Sequence, residues 1–194
     1  STAFFLNSLT NNNAHVLWGF AVAITQEPIV IGMYNIAEQC YRAGSAISNA
    51  VSQVLRINTT KQGIHKTLRL SIFYGIAYSL AAIIGYFLAA PMIKIIFQPQ
   101  YMVSVDILKI FVGVWLVQSL IKLISYPLLG KVLSIARLHK MTPYILFGYL
   151  LILGLWYVCF ESIDGLVLSF FGASLLHFGL FAIILKKAID FNKQ

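Results

Sequence analysis

Apolar runs of roughly twenty residues recur along this sequence, each closed by a short polar break, and this recurrence constrains the fold more than any other feature. About twenty apolar residues are what an α-helix needs to cross the hydrocarbon core of a bilayer. The 194-residue chain is 59% hydrophobic and 10% charged, against about 25% charged in a soluble domain. Its mean hydropathy is +0.83. The length therefore accommodates about six spans, which hydropathy and breaks place at about 2–24, 34–57, 67–90, 105–129, 141–160 and 164–185. The expected fold class is an all-α integral membrane protein, one six-helix unit over residues 1–194. No polar stretch is long enough to fold a catalytic domain outside the membrane.

The breaks carry turn-forming residues: Thr25-Gln26-Glu27-Pro28, Asn58 to Gly63, Pro91 with Gln98-Pro99-Gln100, Gly130-Lys131 after Pro127, and Glu161 to Gly165. The segment from Ile93 to Val105 is apolar but too short to span. It is expected at the outer interface or leading obliquely into the fourth span. Basic residues fall unevenly among the breaks. Arg56, Lys61, Lys66 and Arg69 lie in the second, Lys131, Arg137 and Lys140 in the fourth, and Lys186, Lys187 and Lys193 in the tail. Only Lys94 lies in the third, and none in the first or fifth. The positive-inside rule then puts both termini, with the second and fourth breaks, on the cytoplasmic side. The same distribution accounts for the net charge of +8 without a nucleic-acid partner. The chain opens on Ser with no basic stretch before Ala3, so no secretory signal peptide is expected; a fragment of something longer is one reading. Cys40 and Cys159 sit in apolar segments and read as buried thiols.

Charges inside apolar spans are costly and usually face protein or water. The second span holds Glu38, Arg42, Ser45, Asn49, Ser52 and Arg56 at spacings of four, three, four, three and four, which places them on one helical face. Ile36, Ala43, Ile47, Val51 and Val54 occupy the others. Such a stripe needs polar partners or a water-filled cavity. Two readings stand: an ion pair between Glu38 and Arg42 that locks packing, or the lining of a cavity for an ionic substrate. In the first span Asn7, Asn11, Asn12, Asn13 and His15 serve either as interhelical glue or as contacts to a hydroxyl-rich ligand. Asp106 and Lys109 begin the fourth span and are expected to pair. Lys122 lies about 20 Å further along and on another face, either as a cavity cation or snorkelling to the interface. His177 reads as a packing residue, and the tryptophans suit interfaces and packing. No metal-spaced Cys/His set, nucleotide loop or nucleophile elbow is present, so neither enzymatic activity nor a cofactor is expected.

Pro28 to Gln39, PIVIGMYNIAEQ, resembles bacterial polysaccharide flippases, in which a loop leads into a Gly-x-Tyr-x-x-Ala helix start followed by a polar residue, here Gly32, Tyr34, Ala37 and Glu38. Ile95 to Tyr101, followed by Val105-Asp106-Ile107-Leu108, is similar to that family's outer loop and next helix, although Gln98-Pro99 stands where a Gly normally follows the aromatic. The family is the O-antigen and polysaccharide translocases of the multidrug/oligosaccharidyl-lipid/polysaccharide exporter superfamily, and the likeness is to the C-terminal six-helix lobe. The resemblance implies a two-lobe transporter of the bacterial inner membrane, moving a polyprenyl-pyrophosphate-linked oligosaccharide between leaflets in O-antigen or lipopolysaccharide biosynthesis. Its partners would be membrane lipids, a second lobe and glycan polymerase machinery. Carried onto this chain, Arg42 and Lys122 would bind pyrophosphate, and Asn11, Asn12, Asn49 and Ser45 would contact sugar. Glu38 would hold Arg42 or titrate in ion coupling, with Asp106 and Lys109 as further charge partners. The rivals are a multidrug antiporter lobe, whose cavity should be acidic, and a membrane transferase acting on lipid-linked sugars, which needs a larger loop. A third is a packing subunit without transport of its own.

Overall fold

The computed structural model describes the backbone of residues 14–62, 64–96, 101–102, 104–128, 135–159 and 162–191. All regular structure among them is helical: α1 (Ala14–Thr25), α2 (Pro28–Gln62), α3 (Ile64–Ile96), α4 (Ser104–Leu128), α5 (Ile135–Cys159) and α6 (Ile163–Phe191). Asn7, Asn11, Asn12 and Asn13 lie outside the described residues.

Helix boundaries depart from hydropathy boundaries for identifiable reasons. Hydropathy reports lipid contact, whereas a helix continues wherever its own hydrogen bonds can form. α2 is 35 residues long, about 52 Å at 1.5 Å per residue, and so exceeds a hydrocarbon core of about 30 Å. It begins at Pro28, a residue pre-set for the first helical turn, so the segment expected as a loop before Tyr34 is helical. At its other end the expected break from Asn58 is also helix as far as Gln62, with the Thr59 hydroxyl donating to the Leu55 carbonyl at 2.9 Å. Pro91 does not close the third span but lies inside α3. Proline removes one backbone donor; the flanking Ala89 and Ile93 are fully buried in the core, and their packing carries the helix across the gap. Ile93 to Ile96 are accordingly its last turn. α6 starts where expected, because Ser162 caps it: its hydroxyl accepts from the Gly165 amide at 3.1 Å and its carbonyl from the Leu166 amide at 2.9 Å.

α4 lies at the centre, packed against α2, α3 and α6, with α5 and α1 completing the bundle against α6 and α2. Contacts along the seams fix direction. Tyr34 meets Phe111 and Tyr41 reaches Gln118, so α2 and α4 run parallel. Tyr86 sits opposite Lys109 while Gly75 faces Leu120, so α3 is antiparallel to α4. Phe170 meets Phe111 and Ser174 meets Gln118, so α6 is parallel to α4. The direction alternates along the chain. The breaks poor in basic residues therefore gather at one end of the bundle, and the ends of α2 and α3 that carry Lys61 and Lys66 lie at the other.

The core is built from rings. Trp18 stacks on Phe170 at 4.6 Å between centroids, and Phe111 lies 5.4 Å from both Tyr34 and Tyr41. A smaller cluster of Leu55, Tyr78 and Leu123 lies toward the basic end. The outside is apolar as well: Ile72, Phe73, Ile76, Ile83 and Phe87 of α3 are all more than half exposed. An apolar surface of this kind suits lipid and not water. Among the described residues three segments are long and apolar enough to cross a membrane, Lys66–Ile96, Ser104–Ser125 and Ile163–Ile183; Val16–Thr25 and Pro143–Cys159 are shorter apolar helices. α2 is not among them because its polar stripe lowers its hydropathy.

Candidate functional site, a polar belt along the seam of α2 and α4

The six residues of the α2 stripe share a helical face, and packing against α4 divides that face lengthwise. The buried side of α2 is formed by Tyr34, Ala37, Glu38, Tyr41, Ser48, Ser52 and Leu55. Ser45 and Asn49 are half-buried at the edge of the seam, and Arg42 and Arg56 point outward. The stripe therefore follows the margin of the α2–α4 contact.

Glu38 and Arg42 form the expected pair. Both the Nε and the Nη2 of Arg42 donate to one Glu38 oxygen, at 3.1 and 2.9 Å. The two partners are unequally placed: the Glu38 side chain is 9% exposed and that of Arg42 is 56% exposed. The carboxylate is tucked against Gly19 of α1, where a Cβ would lie 4.0 Å from both carboxylate oxygens. Arg42 thus neutralises a buried acid with two donors and keeps the other three free of Glu38, on its exposed side.

One turn along, a hydrogen-bonded chain joins three helices. The Tyr41 hydroxyl donates to Gln118 Oε1 at 2.6 Å, the Gln118 amide donates to Ser174 Oγ at 3.3 Å, and Ser174 donates to the Phe170 carbonyl at 2.9 Å. Gln118 lies fourteen residues into α4, about 21 Å from its start, so the chain crosses the bundle deep inside. A second buried link joins Tyr149 of α5 to Nδ1 of His177 at 3.0 Å, which gives His177 a packing role.

Lys122 lies one turn beyond Gln118 on α4 and is 6% exposed. Among the described residues no carboxylate pairs with it. Asn49 lies on α2 between Tyr41, which bonds Gln118, and Leu55, which clusters with Leu123. The Oδ1 of Asn49 is buried and has no hydrogen-bond partner among the described residues, and the same holds for Trp115 Nε1 and Tyr78 Oη. Each such group costs about 1–3 kcal/mol. Tyr34 Oη and Ser104 Oγ, toward the other end of the bundle, are likewise buried without a hydrogen-bond partner among the described residues.

Lys109 does not belong to this belt. It pairs with Asp106 at 3.2 Å and lies over the Tyr86 ring, 5.5 Å from its centroid, thirteen residues from Lys122. Of the residues singled out from sequence, the structure gathers Glu38, Arg42, Ser45, Asn49 and Lys122 along one seam and sets Asp106 and Lys109 apart. Sequence reading missed Tyr41, Ser174 and Tyr149, because their partners are set by packing between helices distant in the chain. Among the described residues no three His, Cys, Asp or Glu side chains are grouped so as to hold a metal ion. Comparison with family models, curated proteins and solved structures gives no match.

Proposed function

We propose that this chain is a transporter lobe that moves an anionic, lipid-linked oligosaccharide of the polyprenyl-pyrophosphate type across the bacterial inner membrane. In this reading all six helices cross the membrane, and both termini face the cytoplasm with the basic breaks. A second six-helix lobe closes the cavity along the exposed margin of α2. Lys122 and Arg42 attract the pyrophosphate, Asn49 and Ser45 meet sugar hydroxyls, and Glu38 keeps Arg42 in position.

The observation that carries the proposal is Lys122: a buried cation about 27 Å into α4, toward the basic end of an apolar bundle, with no described acid paired to it. An isolated charge there costs several kcal/mol and persists where it serves a function. An antiporter lobe for cations would leave an acid of the belt without a basic partner, whereas Glu38 is paired with Arg42.

The test uses a strain lacking the protein. Loss of surface glycan, with lipid-linked repeat units accumulating on the cytoplasmic leaflet, is the expected phenotype, and the wild-type chain restores export. Lys122→Met keeps volume and removes charge. It is expected to leave the protein at least as stable as the wild type while export is lost. The reading fails if lipid-linked units never form, which points to synthesis, or if Lys122→Met restores export fully.

A further inference from the structure

An open cleft of about 560 Å³ lies between α3 and α6, with α4 as its floor. It is separate from the polar belt and lies toward the end of the bundle poor in basic residues. Its volume falls within the range of about 300–1,000 Å³ typical of small-molecule sites. The walls are apolar, with Phe87 on α3, Leu168 and Phe171 on α6, and Ile110 and Leu116 along the floor. Gly113 keeps the floor open: a Cβ there would lie 3.2 Å from the Phe171 ring. From Lys109 to Leu116 the floor descends seven residues, about 10 Å.

Charge is confined to the mouth and has both signs. Asp106 stands in the first turn of α4 and Asp164 in the first turn of α6. Lys109 lines the same cleft. Its bond to Asp106 is exposed, with the Asp106 side chain 75% accessible, and such pairs contribute little, so Lys109 exchanges partners at low cost. Asp164 makes no ion pair with a described residue. The mouth thus offers one cation and two carboxylates above an apolar channel.

We propose that this cleft binds a phospholipid with a primary-amine zwitterionic headgroup, phosphatidylethanolamine in chemical class. The phosphate meets Lys109, the ammonium meets Asp164 and Asp106, and one acyl chain lies along Ile110 and Leu116. The charge pattern selects this headgroup. A glycerol-type anionic headgroup brings no ammonium and meets two carboxylates. A choline headgroup carries no N–H donor, and so forfeits the charge-assisted hydrogen bonds that the carboxylates accept.

The test is native mass spectrometry of the full chain, released into detergent from vesicles of equal parts phosphatidylethanolamine, phosphatidylglycerol and phosphatidylcholine. Retention of phosphatidylethanolamine over either competitor by about tenfold is expected, the order of a lost charge-assisted hydrogen bond. Asp164→Asn is expected to erase the preference over phosphatidylcholine. Leu168→Trp, which fills the channel and leaves the charges, is expected to abolish retention of any lipid. A folded, monodisperse protein that retains no lipid, retains phosphatidylglycerol equally, or appears as a dimer with the cleft covered by a second copy overturns the proposal. So does an Asp164→Asn variant with an unchanged preference.

Discussion

Gly44 shows how much of this architecture rests on single residues. A Cβ at that position would lie 2.9 Å from the indole nitrogen of Trp115, so the ring or the helix has to shift. Gly44→Ala should therefore separate α2 from α4 and cost about 1–3 kcal/mol. Gly32 lies on the same helix with open space around it, and Gly32→Ala should instead stabilise by up to about 1 kcal/mol through helix propensity. Unfolding of both variants in mixed micelles checks the contrast; equal effects would mean that the α2–α4 approach is looser than the Gly44–Trp115 spacing. At this scale the sequence was legible where one helix sets the geometry. The Glu38–Arg42 pair follows from spacing alone, as does the pairing of Lys109 with Asp106. The unequal burial of Glu38 and Arg42 was not legible, because it depends on Gly19 of a different helix.

Between elements, the Tyr41–Gln118–Ser174 chain is the specific connection among α2, α4 and α6. Hydrogen bonds between helices in membrane proteins couple by about 0.6 kcal/mol on average and up to about 1.7. The buried, short contact at 2.6 Å belongs at the upper end. A double-mutant cycle of Tyr41→Phe and Gln118→Leu should give a coupling of about 1–1.7 kcal/mol, and additive effects would show the bond contributes nothing. Hydropathy located the helices but misplaced their ends. Pro28 and Pro91 read as boundaries, yet the first begins a helix and the second is carried inside one by the packing of Ala89 and Ile93. Local residue chemistry names places where a helix is free to stop; tertiary contacts decide whether it does. The cross-helix partners of Tyr41 and Tyr149 were out of reach for the same reason, since no spacing rule links residues 77 or 28 positions apart.

For the whole molecule, the alternation of helix direction and the one-sided basic residues are mutually consistent, and an apolar exterior surrounds a bundle with a polar stripe along the seam of α2 and α4. The proposal that follows makes a claim about solvent: the margin of α2 that bears Ser45 and Asn49 faces water within the membrane, and the opposite face meets lipid. Reactivity of single cysteines decides this, since only the thiolate reacts and lipid does not support it. In a background with Cys40 and Cys159 replaced, Ser45→Cys and Asn49→Cys should be labelled in intact membranes by a membrane-impermeant thiol reagent. Ile47→Cys and Val54→Cys, at positions exposed on the outer faces of the helix, should stay unlabelled. Labelling at 45 and 49 with silence at 47 and 54 is the predicted result. Silence at 45 and 49, or labelling at 47 equal to that at 49, would contradict the account and leave the stripe as a packing seam.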